Sequence, residues 1–289
     1  MERCSICPRK CGADRENGVG FCGVKSEFKV AKIMVHRGEE PVISGSNGSG
    51  AVFFSGCNLR CVYCQNADIS RGGKGRYFSL DELEKEIFAL EEKGVHNIDF
   101  ITAAHYAVPL AKLLERIKPK LKTPIVYNSS GYEGVETLKK LDGLVDVYLP
   151  DFKYCFSETA QKYSFAPDYP SVAMAAISEM VRQRGSAVIE DGLIKSGVII
   201  RHLVLPGGRK EGMQIMRIIA EKFPWALVSV MRQYTPSFNR SSYRELTRRV
   251  TSFEYDSVVN EATRLSLSGF MQQKGCETSE LTPDFNEIF

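Results

Sequence analysis

The chain has no run of the roughly 18 consecutive apolar residues that a membrane-spanning helix needs, and no internal repeat or low-complexity tract. Its N-terminus, Met1-Glu2-Arg3-Cys4, lacks the apolar core of a secretory signal. A charge excess is lacking too. With 38 Lys and Arg against 35 Asp and Glu the formal net charge is +3. Nucleic-acid and membrane-surface binders concentrate a basic face, so neither nucleic acid nor membrane is an expected partner. These absences leave a protein of a reducing cytoplasm as the expectation. A length of 289 residues suits one large α/β domain with an appendage, or two small domains.

Cysteine is what the chain has in excess at one end. Seven of its 9 cysteines (Cys4, Cys7, Cys11, Cys22, Cys57, Cys61 and Cys64) fall in the first 64 residues, with Cys155 and Cys276 elsewhere. An odd count in short CxxC-like spacings, in a chain too long to need disulfide staples, points to metal ligation by free thiolates.

From residue 50 onward short β-branched or aromatic runs alternate with helical stretches. The strand candidates are Ala51–Ser55, Asn97–Thr102, Pro124–Asn128, Val145–Phe152, Gly197–Leu205 and Ala226–Arg232. Between them, Ser79–Lys93 carries Leu80, Leu83, Ile87 and Leu90 on one face, with Ser79 and Glu82 as a capping box. Ala107–Lys118, Val135–Leu141, Ser171–Arg184 and Glu211–Phe223 complete the alternation. This order means βαβ crossovers and a parallel sheet. Six units over roughly 190 residues favour a partial (β/α)6 TIM-like barrel over a closed eight-fold one, with a doubly wound sheet as the alternative. Either architecture gathers reactive groups at the C-terminal ends of the strands. Residues 1–46 read as a Cys-rich N-terminal metal-binding appendage, in which Phe28–His36 pairs with Glu39–Ser44 as two strands. Residues 47–235 form the core, and residues 236–289 an extension with a charged helix at Ser241–Leu265 and a polar tail.

Directly after the first core strand comes Ser55-Gly56-Cys57-Asn58-Leu59-Arg60-Cys61-Val62-Tyr63-Cys64, a CxxxCxxC loop. Three thiolates this close do not complete the four-cysteine shell of a cubane cluster, so one iron is left for a non-protein ligand. A metal centre with an open position suggests catalysis. The competing reading is a zinc knuckle that borrows a fourth ligand.

The loop Cys57, Cys61, Tyr63 and Cys64 resembles the CxxxCxΦC motif of the radical S-adenosylmethionine (SAM) superfamily, and the similarity extends over most of residues 47–235. Within it the chain looks like uncharacterised iron–sulfur proteins related to pyruvate formate-lyase activating enzymes. Two further segments carry that likeness: Cys7-Pro8-Arg9-Lys10-Cys11-Gly12, and Gly48-Ser49-Gly50 followed by Phe53-Phe54-Ser55-Gly56-Cys57. The resemblance implies a 4Fe-4S cluster on Cys57, Cys61 and Cys64, SAM on its open iron, and a reductant such as flavodoxin or ferredoxin. Reductive cleavage of SAM would give a 5′-deoxyadenosyl radical that abstracts hydrogen from a glycyl-radical enzyme or another substrate. A non-catalytic electron carrier or metal-binding scaffold is the rival from a different class.

The resemblance also nominates cofactor-binding residues. Asp151 and Lys153 match an Asp-x-Lys segment, and Arg201 matches an arginine that contacts SAM; a structural ion pair is the other reading. Tyr63, Thr102, Asn128 and Ser129 complete the expected set, although Thr102-Ala103-Ala104-His105 replaces a Gly-Gly-Glu type segment and Asn128-Ser129-Ser130-Gly131 an Asp-Thr-Asn-Gly type turn. Met231-Arg232-Gln233-Tyr234 departs from a Leu-Pro-Tyr-His type segment, which points to a different substrate or a different SAM edge. His105, His202 and Cys155 are either cavity groups or packed fold residues. Cys4, Cys7, Cys11 and Cys22 supply four thiolates, enough for a structural zinc or a second 4Fe-4S cluster. Arg71-Gly72-Gly73-Lys74-Gly75-Arg76 reads as a solvated basic loop.

Overall fold

The structure is a computed structural model, which describes residues 3–71, 73–275 and 283–285. Cys276, Gly72 and most of the polar tail lie outside the described residues. In chain order come β1 (Phe28–His36), α1 (Pro41–Ser44), β2 (Ser49–Phe54), α2 (Ala67–Ser70), β3 (Arg76–Phe78) and α3 (Leu80–Glu92). Next are β4 (Ile98–Ile101), α4 (Ala107–Ile117), β5 (Ile125–Ser129), α5 (Val135–Leu138), β6 (Val147–Pro150), α6 (Ser157–Ser164) and α7 (Tyr169–Arg184). The remainder is β7 (Val188–Glu190), β8 (Leu193–Leu203), α8 (Arg209–Lys222), β9 (Leu227–Met231), α9 (Ser252–Arg264) and β10 (Gly269–Met271).

The six expected strands are β2, β4, β5, β6, β8 and β9, each parallel to the next in that spatial order. β10 extends the parallel set on the β9 side, and the sheet is open rather than closed. Two expectations fail. Glu39–Ser44 is not a strand: Pro41 opens the short helix α1 instead, because proline cannot donate to a ladder but suits the first helical turn. β1 pairs antiparallel with β2 and β3, so its nine residues belong to the main sheet rather than to a separate hairpin. The helix expected at Ser241–Leu265 begins only at Ser252, where Thr251 accepts from Glu254 N and Glu254 accepts from Thr251 N as a capping box. The box expected at Ser79 and Glu82 is present on α3.

Strand alternation divides the core. Val52, Phe54, Ile98, Phe100, Ile125, Tyr127, Tyr148, Val198 and Ile200 face the helices in one large apolar cluster. Val126, Val147, Leu149 and Ile199 face the other way and close on Ile43 of α1, which is fully buried. Asn97 donates to the Ile43 carbonyl at 2.7 Å. The N-terminal half of the barrel interior is thereby filled, and the C-terminal half is left open.

Both candidate histidines are packed into the fold. His105 Nε2 meets the Ser55 carbonyl at 2.8 Å, and burial lowers its pKa to about 3. His202 Nδ1 meets the Phe152 carbonyl at 2.9 Å, and burial lowers its pKa to about 4. Each carbonyl is an acceptor only, so the ring nitrogen that meets it donates, and burial keeps each ring neutral at pH 7.

The turn after β5 depends on Gly131, whose φ is +76° and whose Cβ position would lie 2.2 Å from the Asp151 carbonyl oxygen. Gly143 has φ +81° but nothing within 4 Å of its Cβ position. Gly131→Ala should therefore lower unfolding free energy by about 2–3 kcal/mol and Gly143→Ala by only about 1 kcal/mol. Denaturant titration measures both, and equal losses would show that the close approach at Asp151 is not a constraint. The buried histidines set a pH dependence. A folded pKa below the unfolded value near 6.5 contributes stability that is present above pH 6.5 and lost as pH falls toward 4. For His202 this amounts to roughly 3 kcal/mol. His202→Gln should flatten the unfolding free energy between pH 6.5 and 4; an unchanged slope would refute the assignment.

Candidate metal and cofactor site

Gly56 turns the chain out of β2, and the loop that follows is fixed by backbone contacts to three other segments. Cys57 N donates to the Cys22 carbonyl at 3.3 Å, Val62 N to Tyr163 O at 2.9 Å, and Arg240 N to Val62 O at 2.8 Å. Asn58 Nδ2 donates to the Tyr132 carbonyl at 2.6 Å. Cys57 Sγ accepts from Leu59 N at 3.3 Å, and Cys61 Sγ accepts from the Ser164 hydroxyl at 3.0 Å. All three thiols line one cavity of about 1080 Å³, open to solvent, at the C-terminal ends of the strands.

Burial pushes Cys57 and Cys64 up from the ordinary thiol range, and the neighbouring Cys61 sulfur pushes them further. Buried thiols that repel one another as thiolates fit a site where a cation replaces the lost solvation. Among the described residues no three His, Cys, Asp or Glu side chains already stand as a closed ligand set. The fit is therefore one of donor chemistry: three soft sulfur ligands, suited to an iron–sulfur cluster, facing a cavity that admits a further ligand.

The same cavity is lined by Tyr63, Thr102, Asn128, Asp151, Lys153 and Arg201, six of the seven expected cofactor-binding residues. Ser129 is the exception. It lies on the helix-facing side of β5, where its hydroxyl donates to Glu133 at 2.6 Å, and alternation puts Ser130 on the cavity instead. Arg201 Nε donates to Asp151 Oδ1 at 3.0 Å, and Lys153 Nζ to Asp151 Oδ2 at 2.5 Å. Burial alone would raise the Asp151 carboxyl, but the Lys153 ammonium and the Arg201 guanidinium outweigh it and hold the group below its usual value. Burial likewise pulls Lys153 down, and Asp151 more than restores it.

Sequence reasoning missed Glu39, Glu40 and Asp99. Arg201 Nη1 donates to Glu39 Oε2 at 2.9 Å, and Asn128 Nδ2 donates to Asp99 Oδ2 at 3.4 Å. Burial raises all three carboxyls; the Arg201 charge opposes this at each of them, and the charge of Glu39 adds to it at Asp99. A signal for Asp99 existed: a carboxylate inside the apolar run Ile98-Asp99-Phe100-Ile101 is the same anomaly that marked Asp151.

Cys155 is outside this cavity, its amide donating to Glu211, while burial pushes its thiol up to about 12. The basic loop is not free either: Lys74 pairs with Asp68 at 3.5 Å and Arg76 with Glu82 at 3.3 Å, and Arg76 opens β3. The four N-terminal cysteines lie beside the cluster loop. Cys11, Cys22 and Cys7 all lie within electrostatic reach of Cys4. No helix among the described residues is long and apolar enough to cross a membrane.

Residues 51–207 match the family description Radical SAM superfamily. An uncharacterised protein of Methanocaldococcus jannaschii is 30% identical over 277 residues, covering 92% of this chain and 76% of its own. Among solved structures, a radical SAM methyltransferase from Sphaerobacter thermophilus superposes with a TM-score of 0.55 at 14% identity, over 78% of this chain and 67% of that one. The FeFe-hydrogenase maturase HydG from Carboxydothermus hydrogenoformans does so with a TM-score of 0.51 at 15% identity, over 79% and 58%. At these identities the two structures bear on the fold, a partial barrel. Half the chain matches the family and its cysteine motif faces the cavity, so the protein belongs to the radical SAM superfamily, whose enzymes pair a 4Fe-4S cluster with SAM.

Proposed function

We propose that this chain is an oxidoreductase of the activating-enzyme type, in which Cys57, Cys61 and Cys64 hold a 4Fe-4S cluster and Asp151, Lys153 and Arg201 help to hold SAM. The observation that supports the reading is the convergence of these three thiols and three charged side chains on one cavity at the strand ends. SAM, when bound and reduced by one electron, supplies a 5′-deoxyadenosyl radical. The chain's own task is to bind, orient and exclude water. Asp151 is fixed by Lys153 and Arg201 and offers a carboxylate; Lys153 and Arg201 offer donors suited to hydroxyls and to a carboxylate. Tyr63, with its hydroxyl against Tyr154 at 2.6 Å, presents a buried aromatic wall beside Cys64.

The target in this reading is a glycyl-radical enzyme or another protein, and the electron donor a flavodoxin or ferredoxin, both met in a reducing cytoplasm. Cys4, Cys7, Cys11 and Cys22 hold a second metal centre, zinc or another 4Fe-4S cluster, against the cluster loop.

Reconstituted, reduced protein mixed with SAM should release 5′-deoxyadenosine, and Cys61→Ala should bring release to background while the far-ultraviolet circular dichroism is unchanged. Product at the wild-type rate from that variant would sink the assignment of the cluster ligands. For the N-terminal thiols, anaerobically purified protein should contain either about four irons and one zinc or about eight irons per chain. Cys7→Ser together with Cys22→Ser should remove only the extra metal; a wild-type content of about four irons and no other metal would refute a second centre.

A further inference from the structure

We infer that Glu39, supplied by the N-terminal segment, is a positioning residue for SAM: it orients the Arg201 guanidinium in the cavity wall. The inference rests on the proposed contact between Arg201 and SAM and deepens it.

Arg201 is anchored from three directions. Nε donates to Asp151 Oδ1 at 3.0 Å, Nη1 to Glu39 Oε2 at 2.9 Å, and Nη2 to Asn128 Oδ1 at 2.5 Å. These partners come from the end of β6, the segment between β1 and α1, and β5. Asn128 also donates to Glu39 Oε1 at 3.3 Å, which closes a ring of three side chains. A guanidinium has five N–H donors in one plane, so these bonds leave one N–H on each terminal nitrogen for a ligand. Arg201, Glu39 and Asn128 all line the cavity that holds the three thiols.

A buried ion pair that only stabilised the fold would need one carboxylate, and Asp151 is already there. Asp151 is shared, however, because its other oxygen is taken by Lys153 at 2.5 Å. One contact at Nε leaves the guanidinium free to swing about it. Glu39 and Asn128 remove that freedom at the two terminal nitrogens, and a planar fork recognises a carboxylate or vicinal hydroxyls only when its plane is set. Glu39 is itself held at the entrance to α1, where its amide donates to Ser44 Oγ at 3.1 Å. At 10% and 12% side-chain exposure, Glu39 and Arg201 are shielded from solvent screening. A segment outside the βα units thus supplies part of the cofactor pocket.

The test measures SAM affinity of the cluster-loaded enzyme by equilibrium binding, beside iron content and melting temperature, for Glu39→Ala, Glu39→Gln, Arg201→Lys and the Glu39→Ala/Arg201→Lys pair. Glu39→Ala should weaken SAM binding about tenfold, and Glu39→Gln, which keeps an acceptor, about threefold. In the Arg201→Lys background Glu39→Ala should have no further effect, because it acts through the guanidinium. Should Glu39→Ala fail to fold or to load iron, Glu39→Asp withdraws the carboxylate by one methylene and is expected to weaken binding at an unchanged melting temperature. Wild-type affinity in the folded Glu39 variants, or additive losses in the pair, would overturn the role of Glu39 alone. Wild-type affinity in Arg201→Lys would instead remove the reading of Arg201, and the positioning role with it.

Discussion

A guanidinium and a carboxylate largely withdrawn from solvent at the mouth of the barrel, Arg201 and Asp151, set the terms for what surrounds them. Burying an ion pair costs desolvation that its own attraction offsets only when the geometry is good and the leftover donors are satisfied. The backbone supplies the geometry. β6 and β8 pair at Val147 and Tyr148, and the two segments meet again at an isolated bridge between Asp151 and Arg201, where Phe152 N donates to the Arg201 carbonyl at 2.7 Å. The leftover donors of Arg201 recruit Glu39 and Asn128, and the second oxygen of Asp151 recruits Lys153. One pair thus ties β5, β6, β8 and the N-terminal segment to the rim of the cavity.

The N-terminal cysteine segment is bound to the core by a second arginine. Arg9 donates to the carbonyls of Asn58 at 2.8 Å, Phe165 at 2.6 Å and Ser164 at 3.1 Å, and its guanidinium lies 4.4 Å from the Phe21 ring and 5.2 Å from that of Tyr132. Charge-assisted bonds to three carbonyls, with an aromatic face for the guanidinium plane, hold a segment that has no regular secondary structure of its own. Since Asn58 is in the cluster loop and Ser164 donates to Cys61, the same contact steadies the loop from two sides. Residues 4–23 therefore brace the cluster loop from outside the barrel.

The parallel strands were legible in the sequence because buried strands are dense in Val, Ile and aromatic residues and the helices between them keep a 3.6-residue period. The cysteine loop was legible because ligand spacing is local. What failed was non-local. Pro41 ends the extended reading of Glu39–Ser44, yet nothing local says that Ile43 will plug the barrel or that Glu39 will reach Arg201 across 162 positions of sequence. Ser129 and Ser130 show the limit of a turn motif: which of two adjacent serines faces the cavity depends on strand phase, and the sequence alone does not count it. Asp99 could have been singled out by the argument used for Asp151, but a single acid in a strand names no partner.

The hydroxyls behind the cluster loop have a direction that follows from their donors. Ser164 Oγ gives its only proton to Cys61 Sγ at 3.0 Å, so in its contact with Tyr154 at 2.8 Å it accepts, and Tyr154 is the donor. The Tyr154 proton is then spent, so Tyr63 must donate to Tyr154 across their 2.6 Å contact. Burial holds both phenols well above their ordinary pKa, which keeps the chain protonated along its length. Three hydroxyls therefore donate in series toward one sulfur, each polarising the next, in a region shielded from water. Hydrogen bonds to a ligating sulfur are one of the levers that set the potential of an iron–sulfur cluster. The aromatic of the cysteine motif is thereby linked, through Tyr154 and Ser164, to Cys61 two positions back along the loop.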